Sequence, residues 1–159
     1  MNWTAFKELT PAIVQECADS FIDLNKEHGS VTKGTLIILS DMALQKGGII
    51  PPDATAFNRV PWLNCQILGD WAPDRVDLDG FMENWVDGLG DRIAKIELNN
   101  PDIPAEEKRA GKYAYWNASN GKTPASVVFG GNYERLRKLK KKYDPHSVFN
   151  KWYPIEPAE

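Results

Sequence analysis

Cysteine and histidine are scarce in this chain of 159 residues, which contains two of each. Cys17 and Cys65 are too few and too far apart in sequence to indicate a disulfide framework or a metal site. We expect two buried, reduced thiols and no metal. His28 and His146 fall at a predicted helix end and in a turn, where a solvent-facing cap is the expected role and a catalytic base is not.

Long apolar runs and a large net charge are also lacking. No window approaches the roughly 18–20 apolar residues that a membrane helix needs, and the N-terminal residues lack the features of a signal peptide. We therefore expect a cytoplasmic protein without a membrane partner. The net charge of −3 does not attract nucleic acid globally. The basic run between Arg135 and Lys142 is more typical of a helix C-terminus, because no aromatic residues alternate with it, so nucleic acid is not an expected partner.

The composition that remains is that of an ordinary globular protein, with 42% hydrophobic and 26% charged residues. A chain of this length is close to the usual size of one domain. Neither an internal repeat nor a low-complexity segment divides it. We therefore predict a single domain over residues 1–159 with one hydrophobic core.

Three helices are predicted from capping residues and hydrophobic spacing. Thr10 and Pro11 are typical of a helix start, and apolar residues then recur every three or four positions. The segment Leu78–Ile96 has the same spacing. A last helix is predicted after Asn132, as its N-cap, and it ends at Asp144, which precedes a proline.

Three segments have strand patterns, which with the helices predict an α+β fold. The run Thr35–Leu39 is apolar on both faces and favours a buried central strand. Between Trp62 and Trp71 the chain alternates, and Asn64 and Gln66 lie on one face of the predicted strand, which would be solvent-exposed or functional. Tyr113–Asn117 is predicted as a short strand.

The short strand gathers two phenols, an indole and an amide. Alternation places Tyr113, Tyr115 and Asn117 on the same side. A phenol there could exchange a proton with a substrate if its pKa, about 10 in water, were lowered by a cation or by hydrogen bonds to the phenolate. The residues alone leave a second interpretation open, which is an aromatic strand of the core.

Three segments in order along the chain resemble one known family. Residues 129–149 contain F-G-G-N-Y-E-R-L, then a lysine, Y-D-P and a closing phenylalanine. Residues 47–59 contain G-G, then P-P-D-A-T-A-F and an arginine two positions later. Residues 115–117 read Tyr-Trp-Asn, where the family has Tyr-x-Asn. The chain thus resembles the berberine-bridge-enzyme-like family of FAD-linked oxidases, within the vanillyl-alcohol-oxidase type of flavoprotein.

The resemblance implies a fold and a cofactor. In that family a large N-terminal domain binds FAD, and a second domain lays an antiparallel sheet, covered by helices on one face, over the isoalloxazine ring. This chain looks like the later part of that substrate domain, truncated and without the FAD-binding domain. FAD is therefore the cofactor of the family, and we expect this chain alone not to hold it tightly.

The resemblance also implies residue roles. Tyr115 matches the tyrosine that deprotonates the substrate as hydride passes to the flavin, which makes it the candidate catalytic base. Asn117 matches the asparagine near the flavin ring. The candidate substrate-binding residues are Tyr113, Trp116, Trp62 and Gln66.

The expected function is a component or remnant of an FAD-linked oxidoreductase that acts on a small-molecule secondary metabolite. Two alternatives stay open: a flavin-free cyclase or isomerase that reuses the aromatic pocket, and a non-catalytic truncated module. We expect a homodimer or a complex with a separate FAD-binding chain, because the segment Thr35–Leu39 would be an exposed sheet edge and the tail Trp152-Tyr153 an uncovered apolar surface.

Overall fold

The computed structural model describes residues 1–41, 49–56, 63–111, 123–151 and 153–159. These residues form an antiparallel sheet and four α-helices, which confirms the α+β fold class. The strands are β1 (Asn2–Phe6), β2 (Leu36–Asp41) and β3 (Leu63–Leu68). The helices are α1 (Pro11–His28), α2 (Asp79–Asn99), α3 (Ala125–Phe129) and α4 (Tyr133–Tyr143). None of these helices combines the length and apolar character needed to cross a membrane.

Helix α1 begins where its sequence predicts. The hydroxyl of Thr10 accepts a hydrogen bond of 3.3 Å from the backbone N–H of Ile13, which satisfies one donor of the first turn. Pro11 fills the first position, where a missing N–H carries no penalty. The helix then runs without interruption to His28.

The strand order is β1-β3-β2, so β3 is central among the described strands. The strand predicted at 35–39 is present as β2, but its predicted burial is wrong. Leu36 is 52% exposed and Ile38 is 39% exposed. An apolar run predicts that a strand has no polar side, and it does not determine which side the rest of the protein covers.

One face of the sheet packs against α1 and α2 and forms the main core. Its buried members come from both helices and from alternate positions of the strands: Phe6, Ile13, Cys17, Cys65, Ile67, Val86, Leu89 and Ile93. Helix α2 approaches β1 closely, and the hydroxyl of Thr4 donates a hydrogen bond of 3.3 Å to the carbonyl of Gly90. A Cβ atom at Gly90 would lie 2.9 Å from Cγ of Asn2, so this glycine permits the contact.

The opposite face is covered at β1 by the C-terminal segments. Trp3 and Ala5 pack with Val128, Phe129 and Tyr153 in a second buried cluster. The prediction that the tail exposes Trp152 and Tyr153 is therefore wrong for Tyr153, which is buried. Trp152 lies outside the described residues.

The carboxylate of Glu97 joins three parts of the fold near the end of α2. It is 2% exposed. One oxygen accepts the backbone N–H of Lys7, just after β1. The other accepts the backbone N–H groups of Arg109 at 2.8 Å and Ala110 at 2.6 Å. Charge-assisted bonds of this kind are about twice as strong as neutral ones, so this carboxylate fixes the loop after α2.

Candidate functional site

The candidate site is the sheet face opposite α1 and α2, here called the open face. Because side chains alternate along a strand, residues next to the core positions of β3 point to this face. The open face carries Trp3 and Ala5 from β1, Asn64 and Gln66 from β3, and Leu36, Ile38 and Ser40 from β2. Its β1 side is covered by the second cluster, whereas its β2 side exposes aliphatic side chains.

Polar side chains on the open face form a connected row. Asn64 and Ser40 are directly paired across the sheet, and the Ser40 hydroxyl donates to Oδ1 of Asn64 at 3.0 Å. The amide Nδ2 of Asn64 donates a hydrogen bond of 3.2 Å to the backbone carbonyl of Ser40. Nε2 of Gln66 donates to the same Oδ1 at 3.3 Å. The row therefore holds the Gln66 amide in one orientation.

Apolar side chains flank Gln66 on both neighbouring strands. In the register of the sheet Gln66 is opposite Trp3 on one side and opposite Ile38 on the other. Gln66 itself is half-buried. A half-exposed amide beside the exposed Ile38 side chain suits a ligand that has an apolar body and a polar group.

The predicted polar side of β3 is only partly correct. Asn64 is fully buried rather than wet, because Ser40 and Gln66 occupy its amide. Gln66 is the member of the pair that stays half-exposed. Sequence reasoning missed Ser40, because the pairing register of β2 and β3 is needed to place it beside Asn64.

A second feature is a cavity of about 160 Å³ between α4 and the segment 53–56. Asn132 is the N-cap residue of α4, as predicted, but its side chain makes no cap hydrogen bond to the helix. Its amide instead donates to the carbonyl of Thr55 at 3.0 Å. Nη1 of Arg135 donates to the carbonyl of Asp53 at 2.8 Å. These bonds join segments 77 and 82 positions apart, so we assign Asn132 and Arg135 a structural role.

The end of α4 is a second structural element of the same C-terminal segment. The carboxylate of Asp144 accepts the backbone N–H groups of Val148 at 2.8 Å and Phe149 at 3.1 Å, and it pairs with Lys140. Lys140 also donates to the carbonyl of Phe149 at 2.5 Å. The Lys140 ammonium, helped by the two backbone donors, holds the pKa of Asp144 below its ordinary value. The predicted helix end at Asp144 is confirmed.

The other candidate site residues lie outside the described residues. These are Trp62, Tyr113, Tyr115, Trp116 and Asn117. Their roles as substrate-binding, catalytic and cofactor-binding residues remain predictions. Within the described ranges, no group of three or more His, Cys, Asp or Glu side chains is arranged to hold a metal ion.

Comparison with known proteins supports the resemblance seen in the sequence. Residues 114–156 match the family described as "Berberine and berberine like". The chain is 34% identical over 118 residues to the FAD-linked oxidoreductase pgmH of Aspergillus terreus strain NIH 2624, which covers 72% of this chain and 24% of that protein. It is 32% identical over 92 residues to the FAD-linked oxidoreductase sor8 of Hypocrea jecorina, over 57% of this chain and 13% of that protein.

The matches cover only a small part of each related protein. The chain spans about a quarter of the length of the pgmH proteins, at 24% and 23% of the two sequences. No solved structure matches the chain significantly. The comparisons confirm the resemblance to FAD-linked oxidoreductases of the berberine-like kind.

Proposed function

Since residues 114–156 are a berberine and berberine-like segment and the chain is similar to FAD-linked oxidoreductases, we propose that it forms the substrate-facing part of such an enzyme. The substrate would be a small secondary metabolite. The observation that supports this proposal is the open face, where the half-buried Gln66 amide lies between Trp3 and Ile38.

Gln66 would bind a polar group of the substrate. Its amide is held by Asn64, so little side-chain freedom is lost when a ligand binds. Ile38, which is exposed, would contact the apolar body of the substrate from β2, whereas Trp3 is buried under the C-terminal segments on the other side of Gln66. The amide can donate to or accept from a hydroxyl, which suits an alcohol.

The proton acceptor in this proposal is Tyr115. The support is the match of residues 115–117 to the family's Tyr-x-Asn segment, which lies at the start of the matched region. Removing a hydride from a C–H bond is easier when the proton of the neighbouring O–H leaves with it. Tyr113, Trp116 and Trp62 would complete the substrate contacts, and Asn117 would face the cofactor.

The cavity beside α4 is too small to hold FAD. The cavity beside α4 is about 160 Å³, below the roughly 300–1,000 Å³ that enclose an ordinary small ligand. Asp53 and Leu139 are among the residues that line it. The guanidinium in its lining, that of Arg135, already donates to the backbone carbonyl of Asp53. We therefore propose that the flavin is held by a separate FAD-binding chain or a further domain.

A flavin-binding measurement tests this part of the proposal. We expect the purified chain to be colourless, and we expect millimolar FAD to leave its Tm unchanged, because a ligand raises Tm only when it binds the folded state. Absorbance near 450 nm after dialysis and a thermal melt with FAD give the two readouts. A flavoprotein of known stoichiometry, treated in parallel, is the control.

The outcomes separate the candidate functions. A yellow protein with one flavin per chain would contradict the proposal that the flavin is held elsewhere. A colourless chain that alone converts a small molecule would instead favour the flavin-free cyclase or isomerase. A colourless chain that gains oxidase activity only with a flavin-loaded partner is the result that we expect.

A further inference from the structure

The end of α4 and the turn after it expose large apolar side chains. Tyr143 is 72% exposed and Phe149 is 81% exposed. The backbone of the turn is held in place, because the carboxylate of Asp144 accepts the N–H groups of Val148 and Phe149. Exposed apolar patches on an ordered backbone often mark an interaction site. The apolar members of this patch are Leu139, Tyr143, Val148 and Phe149.

Lysine side chains lie beside the apolar patch. Lys138 and Lys142 are one helical turn apart, and each directly precedes an apolar residue of the patch. These two lysines and Lys141 are exposed and make no ion pair with the part of the chain that the structure describes. Residues 133–151 contain seven Lys or Arg residues and two Asp or Glu residues, although the whole chain has a net charge of −3. The patch and these three lysines are here called the α4 surface.

The outer side of α1 has a net charge of the opposite sign. The helix contains four acidic residues and one lysine. Ile22 is 48% exposed, and the side chains of Asp23 and Glu27 are each 69% exposed. Asp23 pairs with Lys26, but a pair as exposed as this one contributes little. The α1 surface is defined by two exposed rows at four-residue spacing: Val14, Ala18 and Ile22, and Asp19, Asp23 and Glu27.

The two surfaces match in pattern as well as in charge. On α1, the apolar residues at 18 and 22 are each followed by an aspartate. On α4, Leu139 and Tyr143 are each preceded by a lysine. Successive residues turn by about 100° in one sense around an α-helix. Two such helices packed side by side in parallel orientation therefore bring apolar row to apolar row and acidic row to basic row.

The α1 surface and the α4 surface cannot meet within one copy of the chain. Helix α1 packs in the main core on one face of the sheet. Helix α4 packs through Tyr133 and Leu136 against the second cluster, on the opposite face. The complementary partner of each surface is therefore found on another copy.

We propose that the α4 surface of one copy of the chain docks on the α1 surface of a second copy. Burial of the apolar rows drives the association, and the opposite charges orient the contact. Because the contact joins two different surfaces, every pair of copies keeps one free surface of each kind. Association therefore continues head to tail beyond the dimer. The proposal does not rest on the function proposed above.

Sedimentation velocity of the wild-type chain over a dilution series tests the proposal. We expect a weight-average mass that rises with protein concentration past that of a dimer. Raising the salt concentration to about 1 M shortens the Debye length to about 3 Å and should weaken the association about tenfold. A monomer at every concentration, or a dimer that does not grow, would overturn the proposal.

Charge reversal tests which surfaces meet. The variants Lys138→Glu/Lys142→Glu and Asp19→Lys/Asp23→Lys should each self-associate about tenfold more weakly or worse, because like charges then face each other. An equimolar mixture of the two variants should regain the wild-type association, since the reversed surface of each variant again meets the opposite charge on the other. A mixture that stays monomeric would contradict the assignment of the two surfaces.

The matched control is Lys33→Glu/Lys95→Glu, which reverses two exposed lysines outside both surfaces. It changes the net charge as much as the α4 variant does and should associate like the wild type. Circular dichroism of each protein shows whether the fold is retained. If a charge-reversed variant does not fold, the growth and salt dependence of the wild-type assembly still decide the question. Equal weakening by the control and the α4 variant would overturn the proposal.

Discussion

Replacing Glu97 by alanine is expected to lower the free energy of unfolding by about 3–5 kcal/mol. The substitution removes a buried carboxylate and leaves the N–H groups of Lys7, Arg109 and Ala110 without their acceptor. Each unsatisfied buried donor costs about 1–3 kcal/mol, and partial hydration keeps the sum below its maximum. Urea unfolding, with the two-state model of a small domain, measures the change.

Glu107 is the matched control for Glu97. It pairs with the side chain of Lys7 at 2.9 Å, and its own side chain is 47% exposed. Exposed ion pairs contribute about 0–1 kcal/mol, so Glu107→Ala should change stability by less than about 1 kcal/mol. Equal effects of the two substitutions would contradict the role assigned to the buried carboxylate.

Replacing Tyr115 by phenylalanine is expected to lower the turnover of the flavin-loaded enzyme by about 10²–10⁴, because a general base typically contributes that much. The substitution keeps the ring and removes the hydroxyl, so the fold should be retained. Steady-state oxidation of the natural substrate, with circular dichroism of both proteins, measures the two effects.

Tyr143→Phe is the matched control for this substitution. Tyr143 lies at the end of α4, and 72% of it is exposed. Its hydroxyl has no part in the proposed chemistry, so turnover should not change. Turnover that is equally unaffected by Tyr115→Phe would remove Tyr115 from the mechanism.

The sequence predicted the helices and strands that are determined by interactions between neighbouring residues. The start of α1 follows from Thr10 and Pro11, which act within one turn. Strand β3 follows from alternation, which is a property of adjacent residues. The segment of α2 follows from its spacing of apolar residues, although Gly90 weakens the intrinsic helix preference. Packing against β1 explains why that glycine is there.

The features that sequence reasoning missed depend on contacts between distant residues. Strand β1 is short and was not predicted; its pairing with β3 and its packing against α2 hold it in place. Asn132 occupies the predicted N-cap position, but its side chain makes no cap bond and its amide N–H donates to the carbonyl of Thr55. From the sequence alone, Glu97 has the pattern of a solvent-exposed helix residue. In the structure the loop at Arg109 covers it, and the backbone N–H of Arg109 donates to its carboxylate. None of these partners can be identified from neighbouring residues alone.

The candidate site also contains residues that a local sequence pattern predicts and residues that it does not. Gln66 was predicted from the alternation of apolar and polar residues in its strand, and the structure places it on the open face. The polar row that supports Gln66 could not be predicted, because it depends on the pairing of Asn64 with Ser40 in the register of the sheet. Tyr115 and Asn117 rest on the resemblance, because no local pattern distinguishes a catalytic phenol from a packed one.

The central claim is that the open face receives the substrate, and a ¹H–¹⁵N NMR titration with a panel of secondary alcohols tests it most directly. We expect the alcohols that bind to shift the side-chain amide signals of Gln66 and Asn64, and Gln66→Leu to weaken binding about tenfold, as loss of one hydrogen bond implies. Gln15→Leu, on an exposed part of α1, is the matched control and should leave binding unchanged. Shifts confined to α1 and α2, or equal affinities for the two variants, would contradict the claim.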